Sequence, residues 1–116
     1  MSSGRGGYVI AAESLPGSEN SVRFDGHAHG ASVSFFLTRN LPGTGPELHR
    51  HPYEETFIIL EGEGRYTVGE VEIEAGAGEI VVVPADTPHK FVNTGEERLR
   101  QVNIHPRENM ETVWLG

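Results

Sequence analysis

The stretch that decides the fold reads GTGPELHRHPYEETFIILEGEG, from Gly43 to Gly64. Its middle carries two histidines and two glutamates within seven residues, and an apolar run follows them directly. Burying such groups costs solvation free energy unless something neutralises them together. If this segment begins a buried strand, its titratable residues therefore need a shared partner.

The composition of the chain restricts the class of protein. Its 116 residues fit one domain with a real hydrophobic core. Cysteine is absent, which excludes disulfides, thiolate metal sites and cysteine nucleophiles. The formal net charge of −8 disfavours nucleic acid or an anionic membrane as a partner, because both are bound by clustered Lys and Arg.

The beginning of the chain predicts neither a leader nor a membrane anchor. Residues 1–7 are small and Gly-rich, so we expect a disordered end there and a single domain over residues 8–116. The apolar run at 8–12 is too short for the core of a signal peptide or for a membrane span. These features predict a cytoplasmic protein.

Short apolar or alternating segments recur along the chain, separated by turn residues such as Pro42-Gly43 and Asn93-Thr94-Gly95. No segment has a convincing apolar stripe of helical period. We predict strands at 8–12, 21–24, 31–39, 56–62, 65–68, 71–75, 79–84, 89–93, 98–104 and 111–115. Regularly spaced short strands of this kind predict an all-β sandwich or barrel.

Two of these segments, FIIL at 57–60 and IVVV at 80–83, are apolar at every position. In an antiparallel protein, this pattern predicts that one face lies in the barrel interior and the other is covered by a second sheet or subunit. The last predicted strand carries Trp114 and Leu115, which would promote aggregation on an exposed edge. We therefore expect a homodimer.

His49, His51 and Glu55 share strand parity, so their side chains are expected on one side of the chain, while Glu54 points the other way. Two imidazoles and a carboxylate that converge on one point are a familiar way to hold a divalent transition metal. The alternative is a solvated polar loop that precedes a strand. The local pattern leaves both interpretations open.

The wider spacing favours the metal. Residues 43–62 fit the pattern G-x5-H-x-H-x3-E-x6-G, and residues 78–93 fit G-x5-P-x-G-x2-H-x3-N, apart from Asp86 in place of one glycine. These are the two signature motifs of the cupin superfamily, and residues 35–104 resemble a small single-domain cupin. Asp86 lies in the turn before His89, and aspartate is among the few residues that tolerate the positive φ values of turns.

The resemblance implies a double-stranded β-helix, also called a jelly-roll barrel, with a metal ion near one mouth. Carried over by position, the ligands are His49, His51, Glu55 and His89. Strand parity agrees, since His89 begins a predicted strand on whose inward face Phe91 also lies. The sequence does not choose among iron, manganese, nickel, copper and zinc, because a His/Glu set accepts all of them.

Such a site leaves about two coordination positions for a small-molecule ligand that chelates through oxygen. By parity, Phe57, Ile59 and Phe91 are candidate walls of the ligand pocket, and ordinary core packing is an equally good role for each. Tyr53, in the His/Glu loop, is a candidate proton donor near the metal or a residue of the rim.

Three kinds of function follow from the motifs and the resemblance. The first is a metal-dependent enzyme, dioxygenase-like, that acts on a small chelating organic substrate. The second is a cupin isomerase or decarboxylase, in which the metal acts as a Lewis acid. The third is a non-catalytic cupin module that binds a small ligand or the metal alone. The fold by itself does not decide among them.

The remaining histidines have simpler expected roles. His27 and His29, in DGHAHG, are candidates for an auxiliary metal site or a lid, but an exposed loop is the favoured interpretation. His105 ends a predicted strand before a proline and is expected to cap or pack. Arg39 and Arg50 would attract an anionic substrate if they lay at the rim, although surface solvation explains both more simply.

Overall fold

The chain folds into two five-stranded antiparallel sheets that pack face to face. The structure, a computed structural model, describes residues 6–116. The strands are β1 (Ser21–Phe24), β2 (Ser34–Asn40), β3 (His49–Arg50), β4 (Glu55–Glu61), β5 (Glu63–Val68), β6 (Val71–Gly76), β7 (Ile80–Val83), β8 (His89–Asn93), β9 (Leu99–His105) and β10 (Val113–Trp114). A 3₁₀ turn (Ala12–Ser14) and one short helix, α1 (Gly26–His29), complete the described elements. The predicted all-β, jelly-roll class is confirmed.

The strand order is β1-β2-β9-β4-β7 in the first sheet and β10-β3-β8-β5-β6 in the second. Alternate residues of the central strands point between the sheets, as the period of two requires. They form a buried core of Phe57, Ile59, Tyr66, Val81, Val83, Phe91 and Leu99. This core fills one part of the barrel interior, and buried polar side chains fill the neighbouring part.

The register of the first sheet arranges inward side chains in rows across β2, β9 and β4. Thr56 pairs with Ile104, which places the preceding residue Glu55 beside His105. The next inward row consists of Phe36, Asn103 and Phe57, and we call it the Asn103 row. Because these rows lie two residues apart along each strand, they are separated by about 7 Å.

The prediction of a strand at 8–12 is wrong. Tyr8, Ile10 and Leu15 instead line a groove with Phe24 and Phe35, so the segment packs its side chains against the first sheet and does not add a strand to it. The predicted strand at 111–115 shortens to Val113–Trp114. The predicted disordered end at 1–7 falls outside the described residues except for its last two.

The apolar strands β4 and β7 bury only one face within the chain. Phe57, Val81 and Val83 point into the core, whereas Ile80 and Val82 on the outer face are 63% and 58% exposed. Leu60 of β4 is exposed on the same face. The structure therefore confirms that one face of these strands lies in the barrel interior. That a second subunit covers the other face stays a prediction.

The turn before β8 contains a non-glycine residue with a positive φ. Asp86 has φ +59°, the left-handed conformation that the replaced motif glycine would adopt without strain. Its backbone N–H donates to the carbonyl oxygen of His51 at 2.7 Å. The turn is thus tied directly to the loop that carries the predicted metal ligands.

Within residues 6–116, the helices are all too short or too polar to cross a lipid bilayer.

Candidate metal centre

The structure brings the four predicted ligands together. His49 lies on β3, His51 follows it, Glu55 begins β4 and His89 begins β8. His49 and His89 are cross-strand partners, so the two sequence motifs meet at that pair. One ligand atom from each of the four residues lies within 4.8 Å of the others, and all four side chains are buried.

The three imidazoles share one tautomer. Nδ1 of His49 lies 2.7 Å from the carbonyl oxygen of Glu47, and Nδ1 of His51 lies 2.7 Å from that of Glu111. Nδ1 of His89 makes the same contact at 2.8 Å with the carbonyl of Thr87. A carbonyl oxygen only accepts hydrogen bonds, so each Nδ1 carries the proton and each neutral ring has its lone pair on Nε2.

These lone pairs face a carboxylate. Oε1 of Glu55 lies 3.0 Å from Nε2 of His51 and 2.9 Å from Nε2 of His89. Electron pairs on the nitrogens and a negative charge on the oxygen repel one another in a buried site unless protons or a metal cation lie between them. Backbone carbonyls that orient ring nitrogens are also the usual outer shell of metal-binding histidines. The donor set therefore fits a divalent transition metal.

The electrostatics keep the carboxylate charged. Burial by itself raises the pKa of Glu55, but hydrogen bonds from His105, His51 and His89, formed when their Nε2 atoms carry protons and no ion is bound, outweigh it and hold the pKa well below its usual range. Burial lowers the pKa of His49 to about 4, so this ring is neutral at pH 7. For His51, the contacts with Glu55 and the Glu111 carbonyl outweigh burial and raise the pKa. An ionised carboxylate and neutral imidazoles are the forms that bind metal, so a bound ion would displace the protons from the Nε2 atoms.

A fifth buried residue completes the centre. Nε2 of His105 lies 3.2 Å from Oε2 of Glu55, the carboxylate oxygen that faces away from His51 and His89. His105 does pack, as expected, because its ring is buried against Phe36, His51 and Tyr53, but it also contacts the carboxylate of the centre. The sequence did contain one sign that His105 points inward, since it shares strand parity with the apolar residue Leu99 on β9. The register that places β9 beside β4 was not visible in the sequence.

Tyr53 lies behind this histidine and not at the pocket wall. Its hydroxyl hydrogen-bonds to Nδ1 of His105 and accepts the backbone N–H of Glu111 at 3.1 Å. Its ring stacks on His51 with the centroids 5.2 Å apart. Burial raises the pKa of Tyr53. The interpretation of Tyr53 as a pocket or rim residue is thus corrected, because Tyr53 is buried and is not among the residues that line the cavity.

A cavity of about 440 Å³ opens beside the ligands. Phe57 and Phe91, two of the predicted pocket residues, line it and also belong to the core. Ile59 does not line it, because it lies one row deeper and packs wholly within the core. Sequence reasoning missed several other lining residues: Phe36, Asn40, Asn103, Thr112 and Trp114.

The other histidines and arginines that the sequence suggested as site residues lie outside the metal centre. Nδ1 of His27 is 3.5 Å from Oε1 of Glu108, and both side chains are largely exposed. His29 stacks on Phe24 at 4.6 Å. Within the described chain, neither belongs to a cluster that could hold a metal. Arg39 donates to the backbone carbonyls of Ser18 and Glu19, and Arg50, like Arg39, is not part of the cavity wall.

Comparison with protein families and with characterised proteins gives a consistent result. Residues 36–105 match the cupin domain family. The chain is 30% identical over 84 residues to auxin-binding protein 1 of Arabidopsis thaliana, covering 65% of this chain and 42% of that protein. It is 36% identical over 62 residues to acireductone dioxygenase of Alcanivorax borkumensis, covering 50% of this chain and 34% of the enzyme. The chain thus spans less than half the length of both relatives.

Solved structures agree on the fold. A structure of Bacillus subtilis oxalate decarboxylase, studied for its Mn(II) centres, superposes with a TM-score of 0.80 and 25% identity. The match covers 99% of this chain and 35% of the decarboxylase chain. A deletion mutant of the same decarboxylase gives a TM-score of 0.78 and 26% identity, over 89% of this chain and 30% of that one.

Proposed function

The chain belongs to the cupin family, and we propose that it is a metal-dependent enzyme for a small organic substrate that chelates a divalent transition metal. His49, His51, Glu55 and His89 would hold the ion. The observation that carries the proposal is that each of the three imidazoles has Nδ1 against a backbone carbonyl, which leaves Nε2 to converge with one oxygen of Glu55.

A bound ion would supply Lewis-acid polarisation of the substrate and, if it is redox-active, dioxygen chemistry. Iron, manganese, nickel, copper and zinc all suit this donor set. The likeness to an enzyme studied for its Mn(II) centres supports manganese as one candidate. Three neutral imidazoles and one carboxylate would leave a net charge near +1, which favours a substrate that binds through negatively charged oxygen.

The residues around the ligands support substrate binding at the same place. Phe57 and Phe91 give the cavity two apolar walls, which would exclude water from the reacting centre and strengthen polar interactions there. Glu55 stays ionised because its histidine neighbours lower its pKa. His105 lies between Tyr53 and this carboxylate, with Nδ1 in contact with the Tyr53 hydroxyl and Nε2 3.2 Å from Oε2 of Glu55.

Among enzyme types, a dioxygenase-like reaction is the leading proposal, and the similarity to acireductone dioxygenase supports it. The similarity to oxalate decarboxylase supports decarboxylation as the alternative reaction of the same site. A second function, ligand binding without turnover, is favoured by the 30% identity to a protein named for binding auxin. We also retain the predictions of a homodimer in the cytoplasm that binds neither nucleic acid nor membrane.

The test begins with protein purified without added metal, whose metal content is measured and then replaced by Co²⁺. Catechols, diketones and hydroxy acids are titrated while the Co²⁺ absorption is recorded, and turnover is assayed separately with each candidate metal under air. A ligand-dependent spectral shift together with oxygen uptake supports the dioxygenase, and product formation without oxygen uptake supports the decarboxylase or isomerase. Spectral shifts without turnover support the binding module. If no compound shifts the spectrum and none is consumed, the enzyme proposal fails.

A further inference from the structure

An unpaired amide lies inside the cavity, one row away from the Glu55–His105 pair. Asn103 is 5% exposed and its Oδ1 atom has no hydrogen-bond partner among the described residues. Buried side-chain oxygens and nitrogens in folded proteins are nearly always hydrogen-bonded. Asn103 also lines the cavity, so a bound molecule would lie next to its side chain.

The other unpaired buried atoms have local explanations. Two are Nε2 atoms of His51 and His105, which belong to the metal centre. The remaining two are on Gln101, whose Oε1 accepts the hydroxyl of Tyr66, and on Asn40, whose Nδ2 donates to Thr44. Each of those amides has one side-chain hydrogen bond. Within residues 6–116, the side chain of Asn103 has none, which sets it apart.

The neighbours of Asn103 define the shape of what fits there. Phe36 and Phe57 are its cross-strand partners on either side, so the amide stands between two aromatic residues in the Asn103 row. Both aromatic residues also line the cavity. Aromatic side chains on both sides of the amide favour a flat ligand, because aromatic rings pack well against one another.

The distance between Asn103 and the metal centre sets the length of the ligand. The Asn103 row lies about 7 Å from the row that contains Glu55 and His105. A molecule that chelates the ion with two oxygens would therefore reach the amide with a group about four or five bonds beyond those oxygens. A substituted six-membered ring has this span.

The charges of the wall favour a neutral group at that end. Arg23 is the one Lys or Arg among the cavity-lining residues of the described chain. Its Nε lies 3.0 Å from both carboxylate oxygens of Asp25, and its Cζ lies 5.9 Å from the centroid of the Phe36 ring, so the guanidinium sits at the outer end of the Asn103 row and is partly neutralised by Asp25. A carboxylate beside Asn103 would have no cation of its own among the inward residues of that row, whereas a hydroxyl both donates and accepts, as an amide does.

We infer that Asn103 is a ligand-binding residue, and that the ligand is a flat oxygen chelator with a neutral hydroxyl or amide at the end remote from the metal. This inference rests on the proposed function, because it uses the metal to fix one end of the ligand. It adds a polar contact that selects among chelators of equal shape.

The test compares two ligands that differ only at the remote end. These are 3,4-dihydroxybenzyl alcohol and 4-ethylcatechol, which have the same number of heavy atoms and the same chelating oxygens. Each is titrated without oxygen into the Co²⁺-loaded protein, and affinity is read from the absorption band. The wild type should bind the alcohol about tenfold more tightly, because only the alcohol satisfies the buried amide.

The variant Asn103→Leu keeps the approximate shape and removes the hydrogen bonds. It should abolish the preference while leaving Co²⁺ content and 4-ethylcatechol affinity within about twofold of the wild type. The matched control is Asn20→Ala, which removes another cavity-lining amide outside the Asn103 row and should keep the preference.

The outcomes separate the inference from the proposed function. If the catechols bind but the wild type does not prefer the alcohol, or the preference persists in Asn103→Leu, the inference fails and the proposed function stands. If neither catechol perturbs the spectrum, the inference fails, and the proposed function fails with it only when the diketones and hydroxy acids also give neither a shift nor turnover. If Asn103→Leu does not fold, Asn103→Ala takes its place, and an absent preference in the wild type overturns the inference without any variant.

Discussion

Nε2 of His105 lies 3.2 Å from Oε2 of Glu55. The other oxygen of the same carboxylate, Oε1, faces His51 and His89 at 3.0 and 2.9 Å. The two oxygens thus have different neighbours, since Oε2 contacts a residue outside the predicted ligand set and Oε1 faces two of the predicted ligands. A metal ion would accordingly be bound through Oε1 alone, which would keep a position open for a substrate.

The first prediction concerns that contact. His105→Leu should lower metal affinity by about 10- to 100-fold, the usual cost of losing a residue that orients a ligand. It should also shift the Co²⁺ absorption spectrum, because Glu55 becomes free to bind through both oxygens. Affinity is measured by competition with a chromophoric chelator.

Tyr53→Phe serves as the graded companion to this variant. It removes the hydroxyl that contacts His105 but keeps the ring that stacks on His51, so both effects should be smaller and in the same direction. Unchanged affinity and an unchanged spectrum in His105→Leu would show that the contact has no role in the centre.

The second prediction concerns the ligands themselves. His51→Ala should remove most of the bound metal and also remove the rise in melting temperature that metal gives the wild type, because a ligand of the folded state stabilises it. His27→Ala is the matched control, since His27 is exposed and pairs only with Glu108. Metal content is measured by elemental analysis. Full occupancy in both His51→Ala and His89→Ala would rule out the assigned site.

Much of this centre could be predicted from the sequence because three of its residues lie close together along the chain. His49, His51 and Glu55 lie within one short segment, where the two-residue period of a strand fixes which side chains share a face. His89 was placed by the second motif, and the pairing of His49 with His89 shows how the segments meet. The positive φ of Asp86 was also readable, because few residue types tolerate it.

The site residues that could not be predicted from the sequence depend on how distant strands pair. His105 is 50 residues from Glu55, and they meet only because β9 pairs with β4 in one register. A shift by one residue would turn both His105 and Asn103 to the outer face. The segment at 8–12 misled for a related reason, since its apolar residues suit a strand but it packs over a sheet without pairing.

The third prediction concerns the aromatic wall. Phe91→Leu should widen the range of chelators that bind, because a smaller side chain enlarges the cavity beside the ion. Metal content should not change, since Phe91 is not a ligand. Leucine is preferred to alanine because Phe91 packs against Phe57 and Tyr66, and truncation to alanine in a core costs about 3–5 kcal/mol. Titration with catechols of increasing size checks the result, and an unaltered size limit would contradict it.

The fourth prediction concerns the turn at Asp86. Asp86→Gly should leave the free energy of unfolding about equal or slightly higher, because glycine adopts positive φ without strain. Asp86→Val should lower it by about 1–2 kcal/mol, since a β-branched side chain is strained there. The valine variant should also bind metal more weakly, because the turn is hydrogen-bonded to His51. Urea denaturation measures the first effect, and equal stability of the two variants would contradict the strain argument.

The fifth prediction is the homodimer. Ile80 and Val82 are 63% and 58% exposed on β7, at an edge of the first sheet, and Leu60 extends the same apolar face. Such a patch on an edge strand is either an interface or an aggregation hazard. Light scattering at micromolar concentration should therefore give the mass of two chains, and Ile80→Glu with Val82→Glu should give one chain that still binds metal. Val71→Glu is the matched control, because Val71 is 59% exposed but lies on β6, at the edge of the other sheet, and the substitution should leave the dimer intact. A monomeric wild type, or a dimer that survives both glutamates, would assign this apolar face to something other than a second copy of the chain.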